Sequence, residues 1–495
     1  MSGHCDKRLP AAGARAMSPW MPVSPAYRPD PRFASLGPEF ADPVRPANFP
    51  RHELRFRNDR AAATIGLDTL SDEEWRAHFG RFEPLPDNQA DPLAMRYHGH
   101  QFRVYNPDLG DGRGFLFAQL REAGAGRLLD LGTKGSGVTP YSRTADGRLT
   151  LKGGVREVLA TAMLEALGVP TSRSFSLIET GEDLHRPDEP SPTRSGVLTR
   201  LSHSHIRFGT FQRHAYFNLP ANIGRLIDHA IETYYPALAE VEGAARAPAL
   251  LAEVVKAAAN MTARWMAAGF VHGVLNTDNM NITGESFDYG PYRFLPRNDP
   301  NFVAAYFDQN GLYAFGRQPE AVLWNLQQLA GALTLASETE PLVEALNGFP
   351  GAYRDALRAA MLNRLGLVSR GEEADIVLVN LAFRTLAEAG ELVRWEPFFF
   401  DWFGGAASEH RALEGPRKRL YEGEQALAFR SALWEFETER PERLANPYFA
   451  REEPEELLYD EIEAIWAPIS EADDWRAFNA KLAAIERARI AWALG

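Results

Sequence analysis

The feature that most constrains the fold of this chain is the order of its hydrophobic patterns. Residues 96–215 alternate short apolar runs with glycine turns and then carry one clear helix, a pattern typical of a strand-rich region. Residues 216–400 are dominated by long amphipathic helices. Because strands come first and helices second, we expect an α+β fold in which a strand-rich region precedes a helical one.

The two ends of the chain predict three further segments. Residues 1–26 contain prolines, alanines and arginines and indicate a flexible leader, with an organellar transit peptide as the alternative. Residues 27–95 are rich in proline and aromatic residues and predict an irregular segment that wraps the rest, with one helical pattern near 71–79. Residues 401–495 predict a C-terminal extension of acidic helices.

Charge and cysteine content exclude several classes of function. The net charge is −13, which argues against nucleic acid or an anionic membrane as the main partner. Cys5 is the only cysteine, so one chain forms neither an intramolecular disulfide nor a zinc site of several cysteines, as expected of a cytoplasmic protein. No apolar run is long enough to span a membrane. Any anion site must therefore be a local cluster of arginine and lysine.

Two helices frame the candidate chemistry. In GGVREVLATAMLEALG, residues 153–168, apolar residues recur at helical spacing, Gly168 is a stop signal, and Glu157 lies on the flank of the apolar stripe. In LAEVVKAAANMTARWMAAG, residues 251–269, a second apolar stripe ends at Gly269. We expect Glu157 to point into a cleft.

The loop after the second helix, HGVLNTDNM at 272–280, resembles the catalytic loop of kinases. Kinases place an aspartate two residues after the histidine, as a proton acceptor, and an asparagine five residues later, as a metal ligand. His272 and Asn279 fit this pattern, but Val274 occupies the position of the aspartate and accepts no proton. Either the chain is an inactive kinase or its chemistry differs.

The residues after this loop predict a second metal ligand. MNI, then Thr283–Gly284, then ESFDYG predict a tight hairpin whose second strand ends at Asp288. Asp288, Tyr289 and Gly290 stand where kinases have Asp-Phe-Gly. Two oxygen ligands, from Asn279 and Asp288, suit Mg²⁺.

Upstream residues complete the order found in kinases. Gly110, Gly112 and Gly114 surround Arg113, which indicates either a phosphate-binding loop or an ordinary glycine turn. Lys134 follows an apolar run, so it projects from a strand or is a solvated surface residue. The sequence glycine loop, Lys134, Glu157, Asn279, Asp288 favours the kinase-type interpretation, with Glu157 holding the charged Lys134 in place.

Arginine and histidine clusters leave alternatives open. Arg200 and Arg207 form either an anion site or a solvated basic face. The pairs His98 with His100 and His203 with His205 have a spacing that suits a metal. Because no third ligand lies nearby in sequence, we favour packing or hydrogen bonding for both pairs.

Together these motifs resemble the selenoprotein O (SelO) family of kinase-fold protein adenylyltransferases. The segments that carry the resemblance lie between about residues 50 and 340: LGDGRG, LGTKGSGVTPYSRTADGR, GGVREVLATAM, SHIRFGTF, HGVLNTDNM, FDYG and AVLWNLQQLA. The resemblance implies a protein-kinase-like two-lobed fold with extra terminal extensions. It also implies AMP transfer from ATP to hydroxyl groups of protein substrates, with the nucleotide flipped relative to kinases.

The resemblance also implies roles for individual residues. Asp278 is the proton acceptor, Asn279 and Asp288 bind Mg²⁺ with Mn²⁺ as the alternative, and Glu157 supports Lys134. The implied nucleotide-binding residues are Gly110, Gly112, Arg113, Lys134, Asp146, Gly147, Arg200, Arg207 and Asp288. The expected partners are ATP and protein substrates, and the expected oligomeric state is a monomer.

The sequence departs from the family pattern at two places. Arg103 stands where the family usually has glycine, and the C-terminal region lacks the cysteine-containing motif of many members. Redox regulation by a disulfide to the C-terminus is therefore excluded. The alternatives to adenylyl transfer are a conventional kinase-type phosphotransferase and a non-catalytic nucleotide-binding pseudokinase.

Overall fold

The computed structural model describes residues 24–187 and 189–494. Residues 1–23 of the leader predicted at 1–26, including Cys5, lie outside the described residues. Within the described ranges, no helix is both long and apolar enough to cross a membrane.

Twelve strands are present in the described part of the chain. They are β1 (Ala41–Pro43), β2 (Glu53–Arg57), β3 (Leu93–Met95), β4 (Gly99–Gln101), β5 (Val104–Asn106), β6 (Leu116–Arg121), β7 (Leu128–Lys134), β8 (Leu149–Thr150), β9 (Arg173–Leu184), β10 (Thr193–Ser202), β11 (Phe270–Val271) and β12 (Arg293–Phe294). Eight of them form one antiparallel sheet in the order β1-β3-β6-β7-β10-β9-β2, with β8 paired to β10. The short pairs β4–β5 and β11–β12 are separate.

Fifteen α-helices are present in the described part of the chain, and twelve of them follow the last strand of the main sheet. They are α1 (Asp59–Ala63), α2 (Asp72–Phe79), α3 (Leu151–Ala166), α4 (Phe208–Tyr216), α5 (Pro220–Tyr234), α6 (Arg246–Ala267), α7 (Gln318–Leu333), α8 (Thr339–Asn347), α9 (Phe349–Leu365), α10 (Glu372–Ala389), α11 (Trp395–Trp402), α12 (Glu409–Glu414), α13 (Glu424–Leu433), α14 (Tyr459–Ala472) and α15 (Arg476–Trp492). The predicted order of a strand-rich region followed by a helical one is confirmed.

The segment 27–95 differs from the irregular one that its composition predicts. It supplies β1, β2 and β3 to the main sheet and covers one sheet face with α2. Ser71 begins α2 with a capping box to Glu74, and Trp75 stacks on Phe175 at 4.8 Å between ring centroids. The alternation of charged and apolar residues in β2, ELRFR, was a usable strand signal, whereas the three-residue strands β1 and β3 are too short to show one.

The two faces of the sheet bury different cores. Val197 and Leu198 are adjacent on β10, and the alternation of a strand sends them to opposite faces. Leu198 and Leu177 pack with Val158 of α3, while Val197 packs with the residues under α2. The sheet thereby fixes α3 on the side that faces the helical region.

The segment 280–288 does not form the predicted hairpin. Its turn is present, since Gly284 has φ +67° and its N–H donates to the Asn281 carbonyl at 3.2 Å. The flanking residues pair elsewhere: Asn281 bridges Arg207, and Ser286 bridges Thr171. Local pattern predicted the turn, but partners distant in sequence supply the backbone hydrogen bonds.

We expect Gly284→Ala to destabilise the fold. The substitution forces a side chain into the left-handed region, and the new Cβ would lie 2.6 Å from the backbone carbon of Ala257 in α6. The free energy of unfolding should fall by about 1–3 kcal/mol, measured by urea denaturation. Gly331→Ala on α7, where a Cβ meets no atom within 4 Å, should instead stabilise by about 0.5–1 kcal/mol. A stable Gly284→Ala variant would contradict this account of the turn.

Candidate functional site

Four charged side chains meet where the sheet faces the helical region. The Nζ of Lys134, at the end of β7, lies 2.6 Å from Oε2 of Glu157 on α3 and 2.8 Å from Oδ1 of Asp288. Nη1 of Arg200 on β10 lies 3.4 Å from Oε1 of Glu157 and 3.4 Å from Oδ1 of Asp288. Two carboxylates and two cations therefore alternate around one small volume.

Burial strengthens the electrostatic interactions among the side chains of this cluster. The side chains of Lys134, Glu157 and Arg200 are 5%, 1% and 4% exposed. Burial alone would raise the pKa of Asp288, but Lys134, Arg200 and Arg207 together hold that pKa well below its usual range. Asp288 is therefore ionised at neutral pH.

Arg207, just before α4, links this cluster to the loop 272–280. Its Nη1 donates to the backbone carbonyl of Asp278 at 2.6 Å and lies 3.8 Å from Oδ2 of Asp288. Its guanidinium also packs over the rings of Tyr97 and Phe287, at 4.6 and 4.8 Å from their centroids. The arginine is fully enclosed and holds the loop by the backbone.

Asp278 carries a buried carboxylate in this loop. Its side-chain Oδ1 is buried and has no hydrogen-bond partner among the described residues. Burial raises its pKa to about 6, against the lowering effect of Arg207. A buried carboxylate with an unpaired oxygen is suited to accept a proton or a ligand.

Asn279 lies beside Asp288 as the sequence predicts. Its Nδ2 donates to Oδ2 of Asp288 at 3.2 Å, and a 3-10 turn at Thr277–Asn279 presents it. An amide oxygen and a carboxylate are hard donors, so Asn279 and Asp288 fit Mg²⁺. In the described ranges, neither this site nor any other place contains a group of three or more His, Cys, Asp or Glu side chains that suits a metal.

The histidines serve hydrogen bonding and packing. Nε2 of His272 lies 3.0 Å from the Phe287 carbonyl, and its backbone N–H donates to Gln318. Because burial lowers the pKa of His272, the neutral ring donates this bond and ties the loop to the segment before Asp288. Nδ1 of His98 lies 2.9 Å from the hydroxyl of Tyr105, and Nδ1 of His205 lies 3.3 Å from Asp130.

Two glycine-containing loops pack together beside Lys134. A Cβ on Gly110 would lie 2.3 Å from the ring of Tyr141, and Ser142 Oγ donates to the Gly112 carbonyl. The Arg113 carbonyl accepts from the N–H of Gly135 at 2.6 Å, and its exposed side chain is one of the charges that lower the pKa of Asp288.

The predicted residues Asp146 and Gly147 lie just before β8, where Asp146 is exposed and Gly147 is buried. The Gly147 carbonyl accepts from Gly137 N–H at 3.2 Å. The carboxylate of Asp146 is paired with Arg186 at 2.8 Å, away from Lys134. Among the described residues, neither residue has a hydrogen bond or ion pair with Lys134, Glu157, Arg200 or Asp288.

Sequence reasoning missed two residues of the site. Asp111, inside the LGDGRG motif, has its Oδ1 3.5 Å from Nη2 of Arg207 and accepts from the N–H of Met95 at 3.0 Å. Tyr97 supplies one of the two rings under Arg207. The position of Asp111 between two glycines was a usable signal, whereas nothing in the sequence marked Tyr97.

We expect Glu157→Gln to cost much more stability than the same change eight residues later on α3, at Glu165. Removing the Glu157 charge leaves Lys134 and Arg200 buried with one counter-ion, a loss of about 3–5 kcal/mol. Glu165 pairs with Arg60, whose side chain is 42% exposed, so Glu165→Gln should cost about 1 kcal/mol or less. Urea midpoints would measure both, and equal losses would contradict the buried cluster.

Comparison with known proteins assigns the chain to a family. A family model described as protein adenylyltransferase SelO matches residues 26–486. A protein nucleotidyltransferase YdiU from Synechocystis sp. is 45% identical over 476 residues, which cover 91% of this chain and 96% of the relative. A protein of the same name from Gloeobacter violaceus is 46% identical over 457 residues, which cover 91% of this chain and 93% of the relative. Another from Pseudomonas putida is 41% identical over 366 residues, which cover 73% of this chain and 73% of the relative. The chain belongs to the SelO family of protein adenylyltransferases.

Proposed function

We propose that this chain transfers AMP from ATP to serine, threonine or tyrosine hydroxyls of protein substrates. Membership of the SelO family gives the reaction class, a nucleotidyltransferase that uses ATP. The observation that carries the residue-level proposal is the cluster of Lys134, Arg200 and Arg207 around Asp288. These cations also face Glu157 and Asp111, but the Nε groups of Arg200 and Arg207 are buried without a hydrogen-bond partner in the described residues, which suits the oxygens of a polyphosphate.

The three cations favour a flipped nucleotide. Lys134 and Arg200 are both buried in the space between the sheet and the helices, whereas a kinase buries the apolar adenine ring at the deep end of its nucleotide site. A buried basic pocket accepts the β- and γ-phosphates instead, because phosphate charge offsets the desolvation of the cations. The α-phosphate then faces outward, toward Asp278. The loops with Gly110, Gly112, Arg113, Asp146 and Gly147 would contact the rest of the nucleotide.

The metal site follows from the same arrangement. Asn279 and Asp288 would hold Mg²⁺, or Mn²⁺ as the alternative, which when bound supplies positive charge beside the phosphates of ATP. Glu157 keeps Lys134 aimed at that position, since its Oε2 lies 2.6 Å from the ammonium. Arg207 holds the loop that carries Asn279.

Asp278 acts as the proton acceptor. The acceptor hydroxyl oxygen attacks the α-phosphorus, the bond between the α-phosphorus and the bridging oxygen breaks, and pyrophosphate leaves. The hydroxyl proton passes to the carboxylate of Asp278, whose Oδ1 has no other hydrogen-bond partner in the described part of the chain. Val274, at the position of the kinase base, takes no part.

The domain organisation is part of the same proposal. Residues 96–215 and 216–400 act as the two lobes of a kinase-like fold, with the cluster between them, and 27–95 and 401–495 brace them. Support comes from α3 and β7 contributing one side of the cluster and the loop 272–290 the other. A monomer in the cytoplasm remains the expectation for this chain.

We expect the α-phosphate of ATP, and not the γ-phosphate, to label an acceptor protein. Purified chain is incubated with Mg²⁺ and ATP labelled at one position or the other, and incorporation is followed by gel autoradiography. Asp288→Ala should abolish labelling, because it removes both a metal ligand and the counter-charge of Lys134. Label arriving only from the γ-position would instead establish a kinase-type phosphotransferase.

We expect Asp278→Asn to lower the transfer rate without weakening nucleotide binding. The amide preserves the shape of the side chain but accepts no proton, so the turnover number should fall by about two to four orders of magnitude. The dissociation constant for Mg-ATP, measured by calorimetry, should stay within about threefold because Asp278 contacts none of the three cations through its side chain. Unchanged turnover would remove Asp278 from the proton-accepting role.

A further inference from the structure

The orientation of Asp278 depends on its neighbours. Since its buried Oδ1 has no hydrogen-bond partner in the described ranges, the carboxylate does not fix its own position. Its carbonyl is held by Arg207, and the two residues before it, Asn276 and Thr277, are both buried. What holds these two side chains therefore determines where Asp278 points.

The short pair β4–β5 and helix α4 hold them. The N–H of His100 donates to Thr277 Oγ1 at 2.7 Å, and the N–H of Phe102 donates to Asn276 Oδ1 at 3.0 Å. The Thr277 hydroxyl donates to Oε1 of Gln212 at 2.6 Å, and Nε2 of Gln212 lies 2.8 Å from Nδ1 of His100. His100, Thr277 and Gln212 thus form a closed ring of hydrogen bonds.

The donors and acceptors in this ring have one consistent direction. Thr277 Oγ1 accepts from a backbone N–H, so its own proton goes to the amide oxygen of Gln212. The Gln212 amide nitrogen then donates to Nδ1 of His100, which must be the unprotonated nitrogen of a neutral ring. Burial lowers the pKa of His100, which keeps the ring in this form.

We propose that His100 and Gln212 are positioning residues for Asp278, acting through Thr277. This role rests on the proposed function, since it matters only if Asp278 faces the acceptor. Neither side chain has a hydrogen bond to the charge cluster; both hold the loop through Thr277, whereas Arg207 holds it at the Asp278 carbonyl. A closed ring favours this role over general packing, because each member satisfies one specific donor or acceptor of the next.

The pair β4–β5 also forms part of the wall around Asp278. The backbone of Gly99 approaches the site so closely that a Cβ there would lie 3.0 Å from Oδ1 of Asp278. A shift of this pair would therefore move the wall behind the carboxylate as well as Thr277. Misplacement of a catalytic group by about 1 Å costs on the order of a hundredfold in rate.

Variants of His100 test the role with a matched control. His100→Leu removes the acceptor at Nδ1, whereas His100→Asn retains an oxygen near the same position. We expect His100→Leu and Gln212→Leu each to lower kcat for AMP transfer to an acceptor protein by about 10- to 100-fold, with KM for ATP within about twofold. His100→Asn should retain kcat within about threefold of the unaltered chain, and the double leucine variant should be no worse than either single one.

Gln328→Leu on α7 is the control for local packing. Gln328 lines the same surface cavity as His100 and Gln212, about 240 Å³ in volume, and we expect its replacement to leave kcat unchanged. Mg-ATP affinity and the urea midpoint are measured for every variant. A fall in kcat accompanied by an equal loss of ATP affinity and stability, or kcat unaffected in His100→Leu, would overturn the positioning role. Absence of transfer by the unaltered chain would instead contradict the proposed function.

Discussion

The buried ion cluster of Lys134, Glu157, Arg200 and Asp288 is the interaction on which the rest of the site depends. Charges that leave water at this depth are stable only when each has a partner at hydrogen-bonding distance, and here they alternate in sign at 2.6–3.4 Å. Each member comes from a different element, namely β7, α3, β10 and the loop after α6. The cluster therefore requires that the sheet, α3 and the helical region meet at one point.

The C-terminal helices help to satisfy that requirement. Helix α15 packs against α3, and Lys152 on α3 is paired with Glu463 of α14 at 2.7 Å. Arg55 and Arg194, on the sheet, both reach Asp473 at the end of α14. The last part of the chain thus helps to hold the helix that carries Glu157.

The sequence predicts those parts of the site that local pattern determines. The periodicity of 153–168 and 251–269 predicts α3 and α6 together with the glycines that follow them, and the apolar run before Lys134 predicts β7. The contact between Lys134 and Glu157 could be predicted because its 23-residue spacing follows a known order. The roles of Asn279, Asp278, Asp146 and Gly147 remain predictions, although the structure brings Asn279 beside Asp288.

The rest depends on contacts between residues far apart in the chain. The segment 280–288 pairs with Arg207 and Thr171 rather than with itself, and the short strands β1 and β3 join a sheet although no local signal marks them. Tyr97 under Arg207, and the ring of His100, Gln212 and Thr277, are visible only once β4, α4 and the loop are adjacent in space.

The most direct test of the account is the intact mass of an acceptor protein after incubation with this chain, Mg²⁺ and ATP. Attack at the α-phosphorus adds the mass of one AMP to a hydroxyl side chain and releases pyrophosphate. We predict that increase, and its absence with Asp288→Ala. An increase equal to one phosphate group, or an identical AMP adduct formed by Asp288→Ala, would contradict the central role given to the ion cluster.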